Sequence, residues 1–207
     1  MKTLKESILS RSSHGAKGFE VQRKVIIEEW LKEYNINKYV INDDFTIDVN
    51  ESVDLVDREL KEFPDYIQFG VVSGRFDCSI TKLISLRGCP RVVKGNFDCS
   101  INNLTSLEGC PKEVGGYFNC LNNQLTSLKG APRKVGEYFD CSNNKLTTLV
   151  GAPKEIGGDF VCNYNQLISL EGAPEKVGGY FDCSNNSAQF TYDDVEKVCN
   201  VRRKIYY

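Results

Sequence analysis

The stretch Phe97–Gly116 reads FDCSINNLTSLEGCPKEVGG, and its reading decides the fold. The same pattern, F-x-C-x-x-N-x-L-x-x-L-x-G-x-P-x-x-V-G-G, returns with few departures. Its leading residues, Phe76, Phe97, Phe118, Phe139, Phe160 and Phe181, fall 21 positions apart. Two residues after each comes Cys78, Cys99, Cys120, Cys141, Cys162 or Cys183, and the asparagine position holds Thr81, then Asn102, Asn123, Asn144, Asn165 and Asn186. A fixed period of this kind marks a solenoid, in which one unit cannot bury its own apolar side chains and must stack on its neighbours.

Each repeated residue type has a physical job. Phenylalanine and cysteine, spaced by two, face the same way from a short strand. They point inward, because the alternate positions are mostly polar: Asp77, Asp98, Asn119, Asp140 and Asp182. The asparagine turns the chain out of the strand, its amide suited to bond backbone groups freed by the bend. Two leucines, such as Leu104 and Leu107, pack beneath. Gly-x-Pro makes the return turn, the valine re-enters the core, and the Gly-Gly pair permits the next bend. Stacked strands then form a continuous parallel sheet, and six strands spaced roughly 4.8 Å apart predict a width of about 24 Å.

With Phe139, Cys141, Asn144 and Leu146 occupying its conserved-type positions, the pattern resembles the leucine-rich repeat, phenylalanine and cysteine replacing two leucines. It is also similar to repeats in proteins of tailed bacteriophages and gut bacteria. Those share the motif of Phe97–Gly116 and a preceding segment like Tyr39–Asp44 (YVINDD) and Ile47–Val49 (IDV). The resemblance covers the chain from about Tyr39 onward. It implies an α/β repeat solenoid, leucine-rich-repeat-like, whose exposed sheet face is the usual interaction surface. A phage protein acting on a host or defence protein is the corresponding expectation, and no catalytic activity comes with the likeness.

The ends read differently from the middle. Val53, Leu55, Leu60 and Phe63 occupy the offsets of Phe76, Cys78, Leu83 and Leu86, which predicts a degenerate first coil. Before it, Tyr39–Asn42 and Phe45–Val49 flank an Asn-Asp-Asp turn and predict a hairpin. Ile26, Ile27, Trp30, Leu31 and Tyr34 make one apolar face of a helix over 19–34. At the far end Ala188 replaces the expected leucine, and Thr191 with Asp194 forms a capping box opening a helix to about Asn200. That helix should lay Val195 and Val198 over the last coil, with a final strand in Arg202–Tyr207. The organisation is therefore a mobile tail at 1–18, a helix and hairpin cap at 19–52, the solenoid at 53–186 and a C-terminal cap at 187–207.

Composition bounds the function. A net charge of −2 from 26 basic and 28 acidic residues disfavours a nucleic-acid partner, which calls for a concentrated basic face. No apolar run approaches the roughly 20 residues that span a bilayer, and Met1–Gly15 has no apolar core of a secretion signal, so the expected location is cytoplasmic, the host cytosol if phage-encoded. The nine cysteines recur at a core position rather than pairing across irregular loops, which reads as reduced apolar filling. The one histidine is His14. Neither a metal site, nor a cofactor, nor a catalytic set follows from these residues; the expectation is a protein that is not an enzyme.

The candidate binding residues lie on the outward side of the repeated strands: Tyr117, Tyr138, Asp140, Asp159, Val161, Tyr164, Tyr180 and Asp182. An acidic row with tyrosines suits a protein partner carrying a basic surface. Duplication alone would also copy such ladders, so Asp159, Val161 and Tyr164, which break the ladder in one coil, are the sharper clue. The opposite row of Arg91, Lys112, Arg133 and Lys154, ending in Glu175 and flanked by Glu113 and Glu155, reads as a mixed, solvated face. Trp30 is either cap packing or the anchor of a docking helix. The helix as anchor goes with the alternative function, a virion-associated or assembly protein tethered through its N-terminus. The sequence leaves the oligomeric state open.

Overall fold

In a computed structural model, which describes residues 16–207, every coil is a closed turn of two short strands. One strand carries the phenylalanine and the residue after it: β5 (Phe76–Asp77), β7 (Phe97–Asp98), β9 (Phe118–Asn119), β11 (Phe139–Asp140), β13 (Phe160–Val161) and β15 (Phe181–Asp182). With β3 (Val53–Asp54) in front and β17 (Ile205–Tyr206) behind, these make an eight-stranded parallel sheet, here the phenylalanine sheet. Its register is the sequence period itself, Phe97 opposite Phe76 and Phe118.

The second strand of each coil holds the valine: β6 (Val92–Val93), β8 (Glu113–Val114), β10 (Lys134–Val135), β12 (Glu155–Ile156) and β14 (Lys176–Val177). Flanked by β4 (Phe69–Val72), β2 (Ile47–Val49), β1 (Tyr39–Ile41) and β16 (Asn200–Val201), they form a nine-stranded valine sheet. The sequence reading placed the valine in the core but saw no strand there. Two-residue strands are too short to show the alternation that marks one. The repeats themselves contain no helix; among the described residues helices occur only in the caps.

Between the sheets the side chains stack in columns. Successive phenylalanine rings lie 5.8, 5.4 and 5.0 Å apart from Phe76 to Phe139, offset-stacked as aromatic pairs prefer. Each column cysteine points its thiol at a carbonyl of the next coil, as Cys99 Sγ does to Asn119 O at 3.4 Å. All nine cysteines are free and buried. The asparagine expectation holds in full. Asn144 donates to the carbonyls of Cys120, Cys141 and Ser142, and its Oδ1 accepts from Leu125 N–H. The corner therefore leaves none of these buried backbone groups unpaired. In the Gly-x-Pro turn the glycines from Gly88 to Gly172 have φ between +81 and +102, a region an L side chain rarely enters.

The caps differ from expectation in detail. Helix α1 runs Ala16–Glu33, so Ala16–Gly18 belong to the helix, while the rest of the expected tail and His14 lie outside the described residues. Ile26, Ile27, Trp30 and Leu31 are buried, and the hairpin β1–β2 pairs as foreseen. Val53, Leu55, Leu60 and Phe63 are buried and β3 pairs with β5, which makes the degenerate first coil real. At the far end the Thr191–Asp194 capping box forms, but helix α2 covers only Tyr192–Glu196. It stops short because Asn200 is drawn into β16 beside Lys176. Val195 is buried as expected, whereas Val198 is exposed and Cys199 covers the core in its place.

Candidate functional site

Inward phenylalanines force their neighbours outward. The outer face of the phenylalanine sheet therefore carries two columns. One holds Asp54, Asp77, Asp98, Asn119, Asp140, Val161, Asp182 and Tyr206 in register. The other lies one residue before each inward side chain, and in it Tyr117 and Tyr138 stack at 4.6 Å with planes 11° apart. Tyr180 does not join that pair. It meets Tyr206 edge-on at 5.5 Å, and Lys204 lies 4.6 Å from the Tyr206 ring. Of the candidates, Tyr117 and Tyr138 thus form one cluster and Tyr180 joins Tyr206 in another, the coil of Asp159 lying between them.

The aspartates have a local duty that the sequence reading did not see. Asp140 Oδ1 accepts from the N–H and the hydroxyl of Ser142 at 2.8 and 2.6 Å, and Asp98 and Asp182 hold Ser100 and Ser184 in the same way. Asn119 fills the role with an amide oxygen, accepting from Leu121 N–H at 3.1 Å. Part of the acidic ladder is therefore turn chemistry. The Asp-x-Ser spacing was the signal for it. The second oxygens differ: Asp98 Oδ2 accepts from Asn119 and Asp182 Oδ2 from Asn163, whereas Asp140 Oδ2 has no hydrogen-bond partner among the described residues.

Electrostatics follow from this placement. Burial pushes the Asp140 carboxyl above its usual range and the like charges of Asp98 and Asp182 add to the rise, while the Ser142 bonds oppose it. Burial likewise raises the Tyr117 and Tyr138 hydroxyls, with nearby acidic groups adding to it, so both rings stay neutral. Among the described residues no Lys or Arg forms an ion pair with Asp98, Asp140, Asp159 or Asp182. At the front of the same face Arg75 bridges Asp54 and Asp77, each at 3.0 Å. Sequence reasoning missed that bridge. Lys204 and Tyr206 escaped it because Ile205 follows Phe181 outside the 21-residue interval.

The coil singled out for its irregularity has a largely structural explanation. Asp159 Oδ1 accepts from Tyr180 N–H at 3.0 Å, as Asn96 Oδ1 does from Tyr117 N–H at 3.1 Å. A Cβ on Gly179 or Gly116 would lie 1.8 or 1.9 Å from those same oxygens, so glycine is the residue that lets the bond form. Tyr164 sits at the corner position with φ +50, shared with Asn122, Asn143 and Asn185, and its ring is exposed. Val161 interrupts the carboxylate column next to Asp140.

Of the two roles open to Trp30, the structure shows cap packing. It is 2% exposed, stacked on Tyr34 at 4.3 Å and 6.1 Å from both Phe63 and Phe69. A partner would have to unseat α1 to reach it. Burial raises the thiols of Cys110 and Cys183 to about 12 and of Cys199 to about 11, away from the thiolate form that a nucleophile uses. Among the described residues no His, Cys, Asp and Glu cluster could hold a metal ion, and no helix is long and apolar enough to cross a membrane. No protein family, curated protein or solved structure matches the chain.

Proposed function

We propose that the chain is a non-catalytic interaction module that binds a basic segment of a partner protein on the outer face of the phenylalanine sheet. The observation that carries the reading is the outer column of Asp98, Asp140 and Asp182, whose carboxylates form no ion pair among the described residues, beside the stacked Tyr117–Tyr138 pair. Arg75 supplies an internal template: its guanidinium lies across carboxylates of successive coils. An arginine or lysine of a partner would meet Asp140 Oδ2 in the same fashion and rest against the Tyr138 ring. The phage likeness fits a partner in the host, such as a defence protein, in the cytosol.

The reading is tested by fluorescence anisotropy with labelled arginine-rich and glutamate-rich peptides of equal length. Saturable binding of the basic peptide alone, weakened by salt, is expected. Equal binding of both, or of neither, would remove the acidic face as the recognition element.

A further inference from the structure

The two ends of the phenylalanine sheet are unlike. At the front edge, Val53 and Leu55 donate their N–H groups inward to Arg75 and Asp77. By strand alternation Ser52 and Asp54 turn their backbone groups outward. β3 pairs only with β5 among the described residues, so that edge is open. Beside it runs a groove of about 450 Å³ whose far wall is Asn35 and Ile36, just beyond α1. At the rear edge, β17 accepts from Phe181 and Cys183 through the carbonyls of Lys204 and Tyr206, which leaves the backbone groups of Ile205 and the N–H of Tyr207 facing outward. An open edge is a template for a further strand.

The two edges match in register and in charge. Throughout the sheet, an N–H of one coil donates to the carbonyl one residue earlier in the next, as Phe97 does to Tyr117 and Cys99 to Asn119. Continuing that rule past β17 brings Ile205 N–H to Ser52 O and Tyr207 N–H to Asp54 O of another molecule. The rear edge is flanked by Arg202, Arg203 and Lys204; the front edge by Glu51, Asp54, Asp57 and Glu59, of which Asp54 is bridged to Arg75 and Glu59 to Lys82, with Arg58 leaning over the Tyr34 ring at 5.9 Å. Pairing two rear edges would set the three basic residues against themselves, whereas rear against front sets them beside carboxylates.

We infer that copies of this chain associate head to tail, β17 of one adding in parallel to β3 of the next. The apolar ends of the core are already covered, Val53 and Leu55 by the N-terminal cap and Val195 and Cys199 at the rear, so the contact is a polar strand addition and not a fusion of cores. Such a heterologous contact grows into open chains unless its rotation closes a ring. It is independent of the binding face proposed above.

Sedimentation velocity over a concentration series tests it. The intact chain is expected to show growing species beyond a dimer, reduced by added salt. Tyr207→Pro removes one outward donor that bonds nothing within the described chain, and should cut assembly to the monomer without lowering Tm. A second variant, Arg203→Glu with Lys204→Glu, should do the same, and mixed with Asp57→Lys, Glu59→Lys chains it should recover association. A monomer at every concentration, a discrete dimer that does not grow, or a Tyr207→Pro chain that assembles like the intact one would overturn the inference.

Discussion

The two outward faces of each coil treat charge in opposite ways. On the valine sheet the outward positions alternate in sign up the stack, Glu113 beside Lys134 and Glu155 beside Lys176, with Lys154 bound to Glu175 at 2.7 Å. That face neutralises itself, as expected of a mixed, solvated surface. On the phenylalanine sheet the outward column is acidic, relieved by the neutral Asn119 and Val161, and Asp77, Asp98, Asp140 and Asp182 each commit one oxygen to a serine turn. The lesson is that a residue kept for the fold can leave a second atom over for a partner. Asp140 is the case in point, with Oδ1 committed and Oδ2 open.

Substitutions within one coil can separate the buried scaffold from the two faces. The largest effect is expected from Asn144→Ala, which strands Leu125 N–H and takes one of two donors from each of three corner carbonyls. Cys120 O keeps Asn123, Cys141 O keeps Asn165 and Ser142 O keeps Asn122 N–H. With one buried N–H left unsatisfied at about 1–3 kcal/mol and three shared bonds lost besides, the loss should reach about 2–3 kcal/mol in urea unfolding. A loss below about 1 kcal/mol would mean that water satisfies the corner. Asp140→Ala should cost about 1–2 kcal/mol through the two Ser142 bonds. Lys154→Ala, on the self-neutralised face, should stay within about 0.5 kcal/mol.

A finer contrast uses pH. The folded-state pKa of Asp140 is raised, so the native chain holds this proton more tightly than the unfolded chain does. Its contribution to stability is present at low pH and is lost as pH rises through the folded pKa. Asp140→Asn keeps the turn oxygen, as Asn119 shows, and removes the buried charge. That variant should melt above the parent at neutral pH and lose its advantage on acidification. A Tm shift of the same size at both pH values would show that the charge is not the cause.

The solenoid was legible because a 21-residue interval repeats side chains whose roles follow from geometry, and the interval reappears as hydrogen bonds between coils. The valine sheet was not, since strands as short as Glu155–Ile156 carry no alternation. The face residues were found by position, but their duties were hidden in contacts between coils. Asp159 looked like a singular site residue, and its partner is a backbone N–H one coil on. Tyr206 and Arg75 gain their places from register and ion pairing, which composition cannot show. A helical apolar face reads Trp30 first as cap packing, with a docking anchor as the alternative, and the packing of Phe63 and Phe69 against it shows the first.

The most direct measurement is isothermal titration of an arginine-rich peptide into three forms of the chain: intact, Tyr138→Ala with Asp140→Asn, and Lys134→Ala with Lys176→Ala on the opposite face. Binding by the intact and lysine-substituted forms, with at least about tenfold loss (about 1.4 kcal/mol) in the Tyr138/Asp140 form, is the expected result. Equal affinity in all three forms would contradict a binding site on the phenylalanine sheet.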